Sequence, residues 1–311
     1  TVADIMSTAP EPIRWVLPGM IPEGLTLLVG APKVGKSWWN LDLLVALGSG
    51  RPDIVFNWGS QMDPSPNLYC ALEDPSRRVN SRLRQVTQGL QFSPHRAGDV
   101  WLELPDLDKG GRDEIEQWLE RNPTSRVVLV DVLAKVRGTP AEGQGMYQAD
   151  YQAVTQLKEI ADDFGIGVVV THHDRKKTDD DFLNMVSGTK GVTGAADTIL
   201  FLTRERGSNE GILKCESRDV EDSQYRMEFQ RPTGRWLVVE QERIGAEVDK
   251  PSNTLLDRIS QILLARGSAR SSELARMLET DLAEIVRALE SGAETRAVEK
   301  QRDGSWHVPR H

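Results

Sequence analysis

The sequence has few cysteines, no long apolar run and no excess of basic residues. Its only two cysteines among 311 residues, Cys70 and Cys215, lie in apolar strand-like runs, which excludes a disulfide framework and a cysteine zinc site and favours a reducing compartment. No apolar run approaches the roughly 18 residues that cross a bilayer, and the first residues lack the charged and apolar segments of a signal peptide. We therefore expect a cytoplasmic protein with no membrane partner.

The balance of charge is acidic. Lysine and arginine number 38 against 47 aspartates and glutamates, which gives a formal net charge of −9. This excludes a broad basic face that grips nucleic acid, so any contact with nucleic acid must be local. With 39% hydrophobic and 27% charged residues, the chain is nevertheless able to bury a core.

Short apolar runs alternate with helix-period stretches over the first two thirds of the chain. The runs are continuous, which is typical of strands buried on both faces, and strands that alternate with helices predict a mostly parallel α/β sheet flanked by helices. The predicted strands are 25–29, 68–72, 127–130, 167–171 and 198–202, and the predicted helices are 38–47, 77–87, 113–120 and 150–164.

The pattern changes after residue 203. Closely spaced short runs at 211–216, 225–230 and 235–239 predict an antiparallel extension at the edge of the sheet, so that residues 1–244 form one core. Residues 245–253, rich in turn formers, indicate a linker. Three amphipathic stretches and a hairpin with an Asp-Gly turn follow within 254–311 and resemble a winged helix.

The strongest motif lies between the first predicted strand and the first predicted helix. Backbone N–H groups of a G-x-x-x-x-G-K-[ST] loop surround phosphate oxygens, Lys36 supplies a positive charge to the β- and γ-phosphates, and Ser37 is a ligand for Mg²⁺. The loop therefore predicts a nucleotide and Mg²⁺ as ligands. Its residues are Gly30, Ala31, Pro32, Lys33, Val34, Gly35, Lys36 and Ser37.

Carboxylates follow two other predicted strands. Asp131 ends the third strand and is the second candidate metal ligand, because the carboxyl ends of parallel strands meet at the same edge of the sheet as the phosphate loop. Glu73 follows the second strand at that edge and is the candidate general base that activates water. Asp74 followed by Pro75 resembles a helix start capped by Asp74, which leaves Glu73 without a structural task.

The fourth predicted strand ends in the only adjacent histidine pair, His172 and His173. Because successive strand residues point to opposite faces, only one of them can face the nucleotide and contact its γ-phosphate. A metal site is disfavoured, since no further His or Cys cluster completes it. A packed or solvated histidine is the alternative for either residue.

The order of these motifs resembles that of the RecA-fold ATPases, in particular hexameric replicative helicases of the DnaB type, plasmid RepA-type helicases and RadA/Sms repair ATPases. The resemblance covers residues 15–240, and it includes Leu72-Glu73-Asp74 after the phosphate loop, Val130-Asp131, the histidine pair, Ser187-Gly188-Thr189-Lys190 and the run 197–201. It implies an ATP site in which Glu73 activates water and His172 or His173 senses the γ-phosphate. It also implies a homo-oligomeric ring, a hexamer, with each ATP site at a subunit interface.

In such families a neighbouring subunit completes the ATP site with basic residues. The resemblance places Lys214 and Arg218 in that role, where an arginine finger neutralises charge on the transferring phosphoryl group. An exposed charge pair in a hairpin is the alternative. The spacing departs from the common helicase pattern, which leaves open which of the two reaches the phosphate.

Two long stretches, 134–149 and 174–194, follow strands at the nucleotide edge, where RecA-like proteins place loops that bind single-stranded DNA in a central channel. An acidic run at 179–181 makes a solvated charge run the alternative to DNA binding, and the lack of clustered aromatics favours backbone tracking without sequence preference. The candidate DNA-binding residues are Lys135 and Arg137 in the first stretch, and Arg175, Lys176, Lys177 and Lys190 in the second.

The third helix of the winged-helix-like unit carries four acidic residues and one arginine within 279–290. These carboxylates would repel phosphates, so we expect the unit to bind a protein partner. DNA contact through Lys300 and Arg302 is the minority alternative.

These observations predict a Mg²⁺-dependent ATPase that acts on single-stranded or forked DNA as a helicase, translocase, or recombination or repair ATPase, with an acidic exterior and a locally basic channel. Two alternatives stay open: a recombinase-type filament ATPase, and a nucleotide-gated loader or regulator without motor activity. A structure-directed DNA nuclease on the same core ranks below them, because the carboxylate clusters show no ordered nuclease motif.

Overall fold

The computed structural model describes residues 1–7, 9, 12–59, 61–139, 145–173 and 194–243, and in the C-terminal part residues 255, 259, 262–263, 268–278, 280–294, 298–301 and 304–307. The chain divides into two compact units, Thr1–Ile244 and Gly245–His311. Among the described residues, no helix is both long enough and apolar enough to cross a lipid bilayer.

The larger unit is built on one sheet of nine strands. Its strands are β3 (Gly24–Gly30), β4 (Asn67–Ala71), β5 (Gly98–Trp101), β6 (Val127–Asp131), β7 (Gly167–His173), β8 (Thr198–Arg204), β9 (Glu210–Ser217), β10 (Ser223–Gln230) and β11 (Arg235–Arg243). A separate hairpin pairs β1 (Trp15–Leu17) with β2 (Ile21–Pro22).

The strand order is β11-β10-β9-β8-β3-β7-β6-β4-β5. The strands from β8 to β5 in this order pair in parallel, whereas β9, β10 and β11 add antiparallel to β8. The predicted mostly parallel sheet with an antiparallel edge extension is therefore confirmed. Because β3 lies between β7 and β8, the loop that follows Gly30 leaves the sheet near its centre, where the carboxyl ends of neighbouring strands surround it.

Helices cover both faces of the sheet. Apolar residues of α2, α3 and α4 pack on one face, and those of α6 and α7 pack on the other. Both faces of the parallel strands are thus buried, which explains their continuous apolar sequences. The helices are α1 (Val2–Ser7), α2 (Lys36–Ser49), α3 (Pro52–Val55), α4 (Ser76–Val86), α5 (Pro94–Ala97), α6 (Gly111–Arg121) and α7 (Met146–Phe164), and short 3₁₀ turns lie at Leu107–Lys109 and Leu133–Lys135.

Two differences from the sequence-based expectation concern the outer strand of the parallel sheet and the start of α7. Strand β5 was not predicted, because its four residues, Gly-Asp-Val-Trp, lack an apolar run and lie only partly buried at the sheet edge. Helix α7 begins at Met146, so the last residues of the stretch 134–149, which was predicted as a loop, belong to the helix. Ala149, Ala153 and Leu157 are buried at helical spacing. This apolar stripe explains why the helix begins before residue 150.

The C-terminal unit contains α8 (Ser271–Leu278), α9 (Leu282–Glu294) and the antiparallel pair β12 (Glu299–Lys300) and β13 (Trp306–His307) among its described residues. Its core includes Ile259, Leu263, Leu274, Ile285, Leu289, Val298 and Trp306. The winged-helix interpretation of this unit stays a prediction.

Candidate nucleotide site

The phosphate loop connects the end of β3 with the start of α2, as its motif requires. Lys36 is 4% exposed, and its Nζ donates hydrogen bonds to the carbonyl oxygens of Gly30 at 2.6 Å and Ala31 at 3.0 Å. These bonds hold the ammonium group within the loop that the helix N-terminus follows. The arrangement places a positive charge and a helix N-terminus at one point, which suits a phosphate group.

Asp131, the last residue of β6, lies beside the loop and is 4% exposed. Its carboxylate accepts hydrogen bonds from the Ser37 hydroxyl and from the Tyr69 hydroxyl, the latter at 3.0 Å. Burial raises the pKa of the Asp131 carboxyl above its ordinary value, and the two hydroxyl groups only partly oppose this shift. A hydroxyl and a carboxylate oxygen in contact are the hard donors that Mg²⁺ prefers, so the residues fit this metal.

Glu73 and His173 meet at the same edge. Glu73 follows β4, and His173 ends β7 next to Gly30 in the strand register. Glu73 Oε2 and His173 Nε2 are 3.3 Å apart, and the two side chains are 43% and 38% exposed. His173 Nδ1 is buried without a hydrogen bond to any described residue. His172 is the preceding residue of the strand and is also half-buried, so of the two histidines it is His173 that the structure places against Glu73.

Asp74 does not cap α4, in contrast to the expectation from the sequence. The residue before the helix is Pro75, and the Asp74 carboxylate forms ion pairs with Arg78 at 2.6 Å and with Arg82 at 2.5 Å. Arg82 also lies over the Trp38 ring at 5.0 Å. The Asp74 carboxylate therefore binds two arginines of α4 and does not accept hydrogen bonds from the N–H groups at the helix N-terminus.

The antiparallel extension covers the outer side of the phosphate loop, a contact that motif analysis does not predict. The buried Trp236 of β11 donates a hydrogen bond from its indole Nε1 to the Gly35 carbonyl at 3.2 Å. Gly35 has a φ of 115°, and a Cβ there would lie 2.9 Å from the Trp236 ring, so both backbone and packing require glycine. Arg204, which ends β8, lies over the Phe229 and Trp236 rings at 4.8 and 5.2 Å and donates to the Lys33 carbonyl at 3.4 Å.

Asp42 anchors this wall to the phosphate-loop helix. It is fully buried in α2, and its Oδ2 accepts a hydrogen bond from the Trp236 backbone N–H at 2.8 Å. Burial raises the pKa of Asp42 well above its ordinary value, against the smaller opposing effects of the Trp236 N–H and the Arg235 charge. Arg235 in turn donates to the carbonyl oxygens of Val86 and Gln88 at the end of α4. Helices α2 and α4 are thus both tied to β11. The only sequence signal for this wall is an Arg-Trp pair after a turn.

Lys214 and Arg218 lie at different distances from the phosphate loop. Lys214 of β9 pairs with Phe201 of the neighbouring strand β8, and Phe201 pairs with Val29 of β3. Lys214 therefore lies two strands away from the start of the loop. Arg218 follows the far end of β9, at the opposite edge of the sheet, where it donates to the Gly194 carbonyl at 2.7 Å. Arg218 therefore cannot contribute to the phosphate site of its own chain, and its assignment to a neighbour's site stays a prediction.

The two described candidates for DNA binding have different surroundings. Lys135 is exposed at the end of the 3₁₀ turn after β6. Arg137 is only 11% exposed on its side chain and forms an ion pair with Asp150 of α7 at 2.5 Å, which leaves its guanidinium little surface for a phosphate. The other candidates, Arg175, Lys176, Lys177 and Lys190, lie outside the described residues.

Comparison with known proteins identifies the family and the fold of the chain. The family model AAA_25, described as an AAA domain, matches residues 1–179, and the chain belongs to this family. Three solved structures are similar to it. The first, an ATPase domain, has a TM-score of 0.55 at 16% identity, covering 70% of this chain and 85% of that one. The second, a DnaB-like replicative helicase, has a TM-score of 0.54 at 16% identity, covering 70% of this chain and 57% of that one.

The third similar structure is the KaiC-like protein PH0186 from Pyrococcus horikoshii OT3, with a TM-score of 0.51 at 14% identity, covering 74% of this chain and all of that one. Identities this low establish the fold alone. Together with the family membership, they show that the chain is a RecA-fold P-loop ATPase resembling DnaB-type helicases.

Proposed function

We propose that this ATPase is Mg²⁺-dependent and acts on DNA as a helicase or translocase within a homo-oligomeric ring. The observation that carries the proposal is the meeting of four groups at one sheet edge: the phosphate loop, the Ser37 and Asp131 oxygens, Glu73 and His173. They come from the ends of several strands, so the fold, and not a local motif, assembles them.

Ser37 and Asp131 are the residues that would hold Mg²⁺, and the ion supplies charge neutralisation on the β- and γ-phosphates. The geometry supports this assignment, because the Asp131 carboxylate is buried beside the Ser37 hydroxyl, and neither of its hydrogen-bond partners among the described residues, Ser37 and Tyr69, has a cationic side chain. Lys36 would exchange its hydrogen bonds to the Gly30 and Ala31 carbonyls for phosphate oxygens.

Glu73 is the proposed general base. It orients a water molecule toward the γ-phosphorus and accepts the water proton as the bond to the β,γ-bridging oxygen breaks. His173 Nε2, at 3.3 Å from Glu73 Oε2, is placed to hold this carboxylate and to exchange it for a γ-phosphate oxygen. His173 thereby links the presence of the γ-phosphate to the position of the base.

Action on DNA is proposed from two sources. The fold is similar to that of a DnaB-like replicative helicase, and Lys135 presents an exposed charge at the end of a turn that follows β6 at the nucleotide edge. In a ring, Lys214 or Arg218 of a neighbouring subunit would complete each ATP site, as the resemblance implies. The C-terminal unit is proposed to bind a protein partner.

The proposal is tested by measuring ATP hydrolysis with single-stranded, duplex and forked DNA. We expect single-stranded or forked DNA to raise the rate of the wild-type chain, and Lys36→Ala to lower it by about 100-fold or more, since the substitution removes a charge that acts on the transferring group. A rate that no DNA changes would contradict the motor role, and a rate that persists in Lys36→Ala would contradict the site.

A further inference from the structure

Helix α4 carries an unusual concentration of positive charge for this acidic chain. Its sequence, SRRVNSRLRQV, has four arginines and no carboxylate, whereas the whole chain has a net charge of −9. Helices α6 and α7 on the other face of the sheet are acidic, with four carboxylates against two arginines in α6 and four against one lysine in α7. The charge is therefore segregated between the two helical layers.

The solvent-facing side of α4 is a continuous polar stripe. Arg77, Asn80, Ser81 and Arg84 are all exposed, and Val79 and Val86 on the other side are buried in the core. Arg77 and Arg84 are two turns apart on the same face, about 10 Å along the helix axis. Within the described part of the chain neither forms an ion pair, and the Arg84 Nε donates only to the Asn80 amide oxygen, at 2.9 Å.

We infer that this arginine stripe binds the phosphate backbone of nucleic acid. Protein interfaces have an apolar centre, and the stripe exposes no apolar side chain, whereas arginine, asparagine and serine are the donors that proteins use for phosphates. The inference rests on the proposed action on DNA and adds a contact surface outside the two predicted loops.

The stripe adjoins the catalytic edge. Arg78 and Arg82 on its flank are held by Asp74, the residue next to Glu73. Nucleic acid that binds along α4 would therefore lie beside the proposed general base. Its phosphates would compete with Asp74 for Arg78, which is half-exposed, and this competition connects DNA binding with hydrolysis.

The test compares full-length wild-type chain with the double variant Arg77→Gln/Arg84→Gln. Binding of a labelled oligothymidylate is measured by fluorescence anisotropy over a series of salt concentrations. The slope of log affinity against log salt is negative, and each lost phosphate contact makes it less steep by about 0.7. We therefore expect the slope to become less steep by about 1.4 and, at low salt, the affinity to fall by on the order of tenfold or more. Basal hydrolysis without DNA should not change.

A matched control is Arg121→Gln/Arg226→Gln, which removes the same charge from exposed positions on α6 and β10. The control should bind DNA with nearly the wild-type slope. Equal losses in both double variants would overturn the stripe, because they would show a general charge effect. An unchanged slope in the α4 variant would also overturn it while leaving the proposed function standing, whereas a wild-type chain that binds no DNA would remove the proposed function itself.

An acidic protein surface is the competing partner. If the α4 variant changes the mass of the oligomer in solution but not the affinity for DNA, the stripe is a subunit contact and the inference is wrong. Analytical ultracentrifugation of the same samples gives this mass.

Discussion

Asp131 lies at the carboxyl ends of the parallel strands, and Asp197 lies at their amino ends. Both aspartates are largely shielded from solvent, but their surroundings differ in kind. Asp131 ends β6 and accepts hydrogen bonds from two hydroxyl groups, those of Ser37 and Tyr69. Asp197 precedes β8, and it accepts a hydrogen bond from the Leu25 N–H at 2.9 Å and two from Lys158 Nζ at 2.7 and 2.9 Å. The protein itself supplies a cation to Asp197.

This difference separates a site from a structural contact. A shielded carboxylate with a lysine partner is compensated within the fold, so it requires nothing from outside. A buried carboxylate whose pKa is raised despite two hydroxyl donors gains from an external cation. Both aspartates lie at the end or the beginning of a strand, and motif position alone does not distinguish them. The comparison predicts that substitutions at the two edges will damage different properties.

The largest effect is expected for Asp131→Asn. It should lower ATP hydrolysis on the order of 1,000-fold, because a metal-bound arrangement loses its carboxylate, while the free energy of unfolding should stay equal or rise, since a buried charge is removed. Steady-state hydrolysis at several Mg²⁺ concentrations and denaturant unfolding give the two quantities. A variant that unfolds readily and hydrolyses ATP normally would reverse the comparison.

Glu73→Gln should come next. A general base contributes about 100-fold or more to the rate, so hydrolysis should fall by that factor. Nucleotide affinity should change little, because Glu73 lies outside the phosphate loop. Equilibrium binding of a fluorescent ATP analogue measures the affinity, and Glu103→Gln, an exposed glutamate in a connecting segment, serves as the matched control. Loss of binding together with hydrolysis would argue against a base.

Asp197→Asn should affect stability and leave turnover unchanged. It removes one charge from a partly buried ion pair with Lys158, and hydrogen bonds to charged groups contribute about 1.5–3 kcal/mol, so we expect a loss of about 2 kcal/mol in the free energy of unfolding. Urea denaturation measures this loss. A decrease in hydrolysis per folded molecule, without a change in stability, would mean that Asp197, at the amino ends of the parallel strands, also acts in catalysis.

The smallest effect concerns the pH dependence of stability through Asp42, which is fully buried in α2. Because burial raises its folded pKa, the unfolded chain loses this proton first as pH rises above the ordinary carboxyl pKa of about 4. Between that value and the raised pKa, the Asp42 contribution to the free energy of unfolding falls with rising pH, and it is fully lost above the raised pKa. Asp42→Asn can still accept the Trp236 N–H and should flatten this slope. Thermal unfolding at several pH values tests it, and identical slopes would contradict the shift.

Local sequence signals were sufficient for the centre of the sheet and for the segments that carry most of the candidate site residues. The phosphate loop, the strand ending at Asp131 and the strand before Glu73 each carry their signal within a few residues, and the parallel topology then brings the strand ends together. The contact between Glu73 and His173 joins residues 100 apart in sequence and depends on the strand order. The ion pair between Arg137 and Asp150 joins the segment after β6 to the first turns of α7, and it too depends on the tertiary fold.

The wall formed by Trp236 and Arg204 has a consequence for the limits of the module. The family match ends at residue 179, before either residue, although Trp236 packs on a glycine of the phosphate loop. A fragment cut at that boundary would carry the complete motif and expose one side of its loop to solvent. The part of the chain that the family model matches therefore leaves out two residues that contact the phosphate loop, and a fragment that keeps both contacts would have to include β8 and β11.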